Sequence, residues 1–245
     1  MMQLNVLSFT LSELCAFPKN EAILMIQLGH LCNELTALYH WQMVLARTKT
    51  QTEPEIAGNV MQMLFVTRLL AGKLNEAWEM LQTDFFGSKL SKLLVPLLDA
   101  EAVENLERVK AYFSGKNALT RIRNQFAFHY GSDEIREQLS SPNDDLVLRL
   151  YAHKQRANCL SQFAEQVVSM TIFTDHTAFE KAVNDCDTLY NNFLEFAQRC
   201  IVLILQRHVN DKVTGSWPIV EIEDPPFIDE LRLPFYLRTR QVDSS

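Results

Sequence analysis

The segment 120–130 (TRIRNQFAFHY) brings together three residue types that suit chemistry on a phosphodiester. Histidine is the side chain best poised to move protons near neutral pH, as a base toward a ribose 2′-hydroxyl or an acid toward a leaving oxygen. Arginine is permanently charged and offers a planar fork to a phosphate that gains negative charge. Arg123, Asn124 and His129 are therefore the candidate functional residues of this chain.

The same region carries positive charge in an acidic protein. From residue 108 to residue 132 there are five basic residues and no Asp or Glu, so the segment has a net charge of +5. The rest of the chain has 18 basic and 30 acidic residues, and the whole chain has a net charge of −7. Such segregation can create a local surface that attracts anions where the overall charge cannot. The alternative is a solvated helix face whose charges pair with acids on neighbouring helices.

Several common kinds of site are excluded by what the sequence lacks. The seven glycines are too far apart for a GxGxxG or P-loop phosphate cradle, which argues against nucleotide-dependent kinases and dinucleotide oxidoreductases. There is no GxSxG nucleophile elbow. Neither HExxH nor a His/Cys cluster occurs, so we expect no metal site, and no cofactor is indicated.

Composition predicts a globular, largely helical chain. Of its 245 residues 47% are apolar and 22% charged, while seven glycines and eight prolines are too few for a turn-dense β architecture. The five cysteines form no CxxC pair and are expected to be buried free thiols in a reducing compartment. With no basic signal region and no apolar run long enough for a bilayer, we predict a cytoplasmic protein without membrane contact.

Hydrophobic periodicity places most of the chain in helices. Asn20 is a candidate N-cap for the first, and Thr52, followed by Pro54, for the second; the short connection predicts an antiparallel hairpin. The pattern leaves 146–153 undecided between strand and helix. The predicted helices span about 20–48, 52–81, 99–114, 117–131, 158–173 and 177–209.

The proline-containing C-terminal region differs from the rest. We predict an all-α fold with a helical domain over residues 1–211 and an extended arm, 212–245, that packs on it. A short strand is expected within the arm at Ile219–Ile222. The prolines on either side would restrict it to the edge of a sheet.

The pattern Arg123-Asn124, four residues and His129, late in a helix of a helical bundle, resembles the HEPN superfamily (higher eukaryotes and prokaryotes nucleotide-binding). Its prokaryotic abortive-infection and toxin-like members are the most similar. The motif resemblance covers only the 117–131 helix, and the helical layout is compatible over about 20–210. The C-terminal arm is not explained by it.

The resemblance implies metal-independent RNA cleavage in a homodimer whose two motifs face one cleft, with an inhibitory, antitoxin-like partner possible. His129 would be the acid/base, Arg123 the electrostatic clamp and Asn124 the positioning group. The RNA backbone would be gripped by neighbouring basic residues: Lys116, Arg121, Arg108 and Lys110.

Helix geometry favours a site shared between two protomers. Positions six apart on a straight helix differ by about 240° in azimuth, so Arg123 and His129 do not lie on one face. A symmetric partner could bring complementary residues into the same cleft. Two alternatives remain open: a non-catalytic module that binds nucleotide, RNA or a partner protein, and a structural bundle in which Arg123 pairs with Glu107 or Asp133 and His129 caps its helix.

Overall fold

The computed structural model describes residues 1–124, 131–140, 146–173 and 175–238. These ranges contain nine α-helices and one sheet of two short antiparallel strands, so the predicted all-α class is confirmed. In chain order the elements are β1 (Met2–Asn5), α1 (Leu11–Cys15), α2 (Lys19–Arg47), α3 (Glu53–Met80), α4 (Lys89–Leu94), α5 (Ala100–Phe113), α6 (Ala118–Ile122), α7 (Ser132–Ser140), α8 (Gln162–Ile172), α9 (His176–Thr214) and β2 (Ile219–Ile222). Short π or 3-10 turns cover Leu81–Phe85, Val95–Leu97 and Arg156–Asn158.

The two long helices α2 and α3 form the predicted antiparallel hairpin. Lys73 Nζ lies 2.9 Å from Glu34 Oε2, and Gln42 Nε2 donates to Thr67 Oγ1 at 3.3 Å. As the residue numbers increase along α2, those of the partners on α3 decrease, as expected for two antiparallel helices. Both helices bury an apolar stripe in the core, because apolar residues recur at helical spacing along them.

The predicted cap of α3 is confirmed, whereas α2 begins one residue before its predicted cap, Asn20. The Glu55 carboxylate accepts hydrogen bonds from the Thr52 backbone N–H and hydroxyl, each at 2.9 Å. Backbone donors favour the ionised carboxyl and lower the pKa of Glu55. The N-cap of α2 is Pro18 rather than Asn20, because the Pro18 carbonyl accepts the first helical hydrogen bonds, from the backbone N–H groups of Glu21 and Ala22 at 2.9 and 3.0 Å.

Helix α9 closes the bundle against α2, α3 and α5. Tyr39 donates its hydroxyl to Asp187 at 2.6 Å, and this bond raises the pKa of Tyr39 to about 12. Tyr112 on α5 donates its hydroxyl to Asp185, two residues before Asp187 on α9, at 2.9 Å. The helix bends at Val209, which has non-helical φ and ψ of −136° and 41°, where the sequence pattern predicted its end.

The undecided segment 146–153 is extended and irregular. Tyr151 and Leu160 exchange two backbone hydrogen bonds, at 2.9 and 2.8 Å, and form an isolated antiparallel bridge. Leu160 is therefore not helical, and α8 begins at Gln162 instead of near residue 158 as predicted.

The five cysteines divide into two groups. All are free thiols; Cys15 and Cys159 are exposed, which the prediction of buried thiols missed. Cys32, Cys186 and Cys200 are buried, and burial raises the pKa of Cys32 to about 11 because the thiolate loses its hydration.

The strand predicted at Ile219–Ile222 is confirmed as β2, but its partner was not foreseen. It pairs with β1 in antiparallel register, with Leu4 opposite Val220. The following arm packs back on the bundle. Asn158 accepts from the Leu237 backbone N–H at 2.9 Å and donates to its carbonyl at 2.7 Å. The predicted domain boundary between residues 211 and 212 stays a prediction.

Gly58 should be essential for docking the arm. A Cβ added there would lie 2.6 Å from the Phe235 Cβ, so Gly58→Ala must displace the arm. We expect faster tryptic cleavage at Arg232 and Arg238 in this variant, measured by mass spectrometry. Gly29→Ala is the matched control, because its Cβ meets nothing within 4 Å and a helix-interior alanine adds up to about 1 kcal/mol. Equal cleavage of both variants would contradict the packing described.

Candidate functional site

The candidate site begins where α6 crosses α3. Asn117 caps α6 through its side-chain oxygen, which accepts from the Thr120 backbone N–H at 2.8 Å, as the sequence predicts. The Thr120 hydroxyl donates to Asn75 Oδ1 at 2.8 Å, and Asn75 is buried on α3. Asn75 Nδ2 in turn donates to the Ala71 carbonyl at 2.7 Å. This chain of bonds fixes the rotation of α6 and hence the direction of the residues after it.

Arg123 follows α6 directly and is held by three side chains. Its Nη2 lies 3.1 Å from Glu76 Oε1 and 3.2 Å from Glu79 Oε1, both on α3. Its Nη1 donates to Asn124 Oδ1 at 3.1 Å. The Arg123 side chain is 30% exposed, so it is reachable from solvent although it is partnered. The described residues thus place two of the three predicted catalytic residues in direct contact.

The acids beside Arg123 change the local electrostatics. One guanidinium and two carboxylates sum to a net charge of −1 if all are ionised, which opposes the approach of a phosphate. Half-exposed ion pairs of this kind are worth only about 0.2–1 kcal/mol each, so a ligand can compete with them. Contacts with Glu76, Glu79 and Asn124 account for three of the five N–H donors of a guanidinium. The remaining two suit an incoming oxygen.

His129 lies outside the described residues, and its proximity to Arg123 stays a prediction. Arg123 and Asn124 themselves have π-helical geometry rather than continuing α6 as an α-helix. Wider turns of this type occur frequently at functional sites.

The residues predicted to contact the RNA backbone lie on or near α5 and α6. Arg108 pairs with Glu104 at 2.7 Å and Lys110 with Glu107 at 2.6 Å, both within α5. Arg121 Nη2 donates to the Thr171 carbonyl at 2.7 Å. Lys116 is exposed in the turn before α6. RNA contact by these four residues stays a prediction: Arg108, Lys110, Lys116 and Arg121.

The acidic partners of Arg123 were missed by sequence reasoning. The structural alternative paired Arg123 with Glu107 or Asp133, but those acids bind Lys110 and Arg136 respectively. Glu76 and Glu79 were detectable only as an acidic pair three residues apart, and therefore on one face, late in a predicted helix. Nothing in the spacing indicates which cation they meet.

Two broader properties of the molecule follow from the described ranges. Over residues 1–124, 131–140, 146–173 and 175–238, no three His, Cys, Asp or Glu side chains are grouped so that they could hold a metal ion. Within the same ranges, no helix combines the length and apolar character needed to cross a membrane.

Comparisons of the chain with protein-family models, with curated proteins and with solved structures give no significant match. Membership of the HEPN superfamily therefore stays a prediction, which rests on the sequence pattern of Arg123-Asn124, four residues and His129 and on the helical layout predicted from the sequence.

The Thr120–Asn75 bond should stabilise the contact between α6 and α3 that positions Arg123. Thr120→Val keeps the shape but leaves Asn75 Oδ1 buried without its donor, which costs about 1–3 kcal/mol. The free energy of unfolding in urea measures this loss. Thr83→Val is the matched control, because Thr83 is exposed and its hydroxyl bonds only to carbonyls of its own turn. A loss no larger than the control, within about 0.5 kcal/mol, would refute the role of the bond.

Proposed function

We propose that this chain is a metal-independent endoribonuclease of the HEPN type, acting as a toxin or defence effector. The observation that carries the proposal is the guanidinium of Arg123, fixed between two carboxylates and Asn124 yet still partly exposed. A cation held in place before the reaction stabilises a transition state without reorganising. Because Glu76 and Glu79 hold it from the α3 side, the guanidinium is preorganised.

The proposed reaction divides into two proton transfers and the stabilisation of charge on the phosphate. A base removes the proton of the ribose 2′-hydroxyl, whose oxygen attacks the adjacent phosphorus, and an acid protonates the departing 5′-oxygen. The products are a 2′,3′-cyclic phosphate and a 5′-hydroxyl. Arg123 stabilises the charge that grows on the non-bridging oxygens. Since Asn124 Oδ1 accepts from Arg123, its amide N–H group is the end that donates to the phosphate.

A homodimer supplies both proton transfers. One imidazole cannot act as base and acid at the same instant, but two copies of His129 facing one cleft can. The two copies of Arg123 would then lie on either side of the same phosphate. An inhibitory partner that covers this cleft would silence the enzyme.

The second candidate is a non-catalytic HEPN-like module that binds nucleotide, RNA or a partner protein. The ion pairs of Arg108 with Glu104 and of Lys110 with Glu107 favour the form that binds a partner protein, because they lower the positive potential on which RNA binding depends, with or without cleavage. The two candidates differ in whether bound RNA is cut.

Cleavage of RNA should require both Arg123 and His129. We expect the homodimer to cut a fluorescent single-stranded RNA in EDTA, with products resolved on denaturing gels. Arg123→Ala should lower the rate by about 10²–10³-fold, and His129→Ala by about 10²–10⁴-fold. The control is Arg136→Ala, which removes an arginine whose side chain is 80% exposed on α7. Undiminished cleavage by both variants would remove the enzyme hypothesis, and RNA binding without cleavage by wild type would favour the binding module.

The carboxylates on α3 should weaken RNA binding while they orient Arg123. Replacing both in the double variant Glu76→Gln/Glu79→Gln removes two negative charges beside the guanidinium. We expect RNA to bind several-fold tighter, about two- to fivefold per charge, and less so as salt rises. Fluorescence anisotropy at two salt concentrations measures the change. Glu180→Gln on α9 is the control, and equal affinity of the double variant and this control would contradict the electrostatic argument.

A further inference from the structure

The two-stranded sheet presents one apolar face. Side chains directly opposite each other in an antiparallel pair lie on the same side of the sheet, and successive pairs alternate. Gln3 opposite Glu221 and Asn5 opposite Ile219 form the other, more polar face. The apolar face consists of Met2 with Ile222 and Leu4 with Val220.

This apolar face is open to solvent. Leu4 and Val220 are 43% and 50% exposed, and every residue of both strands is classed as exposed. A two-stranded sheet is marginal in water unless a third strand or a helix covers its apolar side. Exposed apolar patches on otherwise folded proteins mark sites of interaction. Neither face of the sheet is covered by the described chain, and this face is the one that carries four apolar side chains.

The sheet is nevertheless attached to the bundle at its base. The Val6 backbone N–H donates to the Pro218 carbonyl at 2.9 Å, one step beyond the paired strands. Trp217 Nε1 donates to the Val213 carbonyl at 3.0 Å and ties the strand to the end of α9. Lys212 Nζ reaches the Ser8 carbonyl at 3.2 Å. These bonds hold the apolar face in a fixed position for a ligand.

The chain segment that contains β2 is acidic. Residues 215–230 contain five acids and no Lys, Arg or His, which gives this segment a net charge of −5 in a chain of −7. Residues 1–10 carry no charged side chain. All five acids are exposed. They are Glu221, Glu223, Asp224, Asp229 and Glu230.

We propose that this face binds a cationic amphipathic helix of a partner protein. The two apolar pairs lie about 7 Å apart along the strands, which matches apolar side chains one turn apart on a helix, at positions i and i+4, about 6 Å apart. Lysines and arginines beside that stripe meet the acids that follow β2: Glu223, Asp224, Asp229 and Glu230. The same acids repel RNA and anionic lipid, and two copies of this chain would bring two segments of −5 together.

The binding experiment uses the full chain and a designed helical peptide. The probe is a fluorescein-labelled peptide of about 15 residues, with leucines on one face and lysines on the other. We expect a micromolar Kd by fluorescence anisotropy, because the contact is small, and weaker binding at higher salt. The double variant Leu4→Ser/Val220→Ser should bind about tenfold more weakly or worse, since it removes half of the apolar face.

Two further variants test the contributions of the apolar face and of the nearby acids to binding separately. Ile219→Ser is the matched control, because Ile219 lies on the opposite face, and it should bind within about twofold of wild type. Glu223→Gln/Asp224→Asn should weaken binding and flatten its salt dependence; asparagine suits the positive φ of Asp224. Hydrogen-exchange protection of the Val6 amide checks that the base of the sheet remains formed in each variant.

Four results would overturn the proposal. The first is equal affinity of wild type and Leu4→Ser/Val220→Ser, and the second is equal affinity for a peptide with glutamates in place of the lysines. The third is a dimer, seen by sedimentation, that the same double variant dissociates, since a second copy would then occupy the face. The fourth is binding to phosphatidylserine vesicles that this variant abolishes.

Discussion

Helix α3 is the element on which the other helices and the candidate site depend. Its apolar stripe packs in the core against α2 and α9, and Leu70 and Ala71 are completely buried. The residues on its flanks then make the contacts that place other elements. Asn75 fixes α6, and the acids after it hold Arg123. Because one helix carries both the core residues and the residues that hold α6 and Arg123, core packing and site geometry cannot vary independently.

Much of the helical fold could be predicted, because its signals are local. Thr52 and Asn117 mark helix starts within one residue of where the helices begin, since a side-chain cap acts over only a few residues. Strand β2 was identifiable from its flanking prolines. Strand β1 was not, because nothing near Met2–Asn5 indicates a partner more than two hundred residues away. The bridge between Tyr151 and Leu160 joins residues only nine positions apart, but the apolar pattern of 146–153 did not distinguish a strand from a helix.

In the candidate site, too, local contacts could be predicted and contacts between distant segments could not. The contact between Arg123 and Asn124 follows from their adjacency in the sequence. The acids that Arg123 meets depend on how α6 crosses α3, and the crossing is set by a buried hydroxyl–amide bond rather than by charge. Glu107 and Asp133 were reasonable candidates by distance along the chain. They are instead bound by cations three residues away on their own helices, where the pair costs less side-chain ordering.

The pairing of β1 with β2 also has a consequence for biosynthesis. Leu4 precedes Val220, which lies opposite it, by 216 residues, and almost all of the helical bundle is synthesised between the two. At roughly 5–20 residues per second, Met2–Asn5 remains without its partner for roughly ten to forty seconds. During that interval its apolar side chains are accessible to chaperones, and the closing of the sheet becomes a late step in the maturation of the nascent chain.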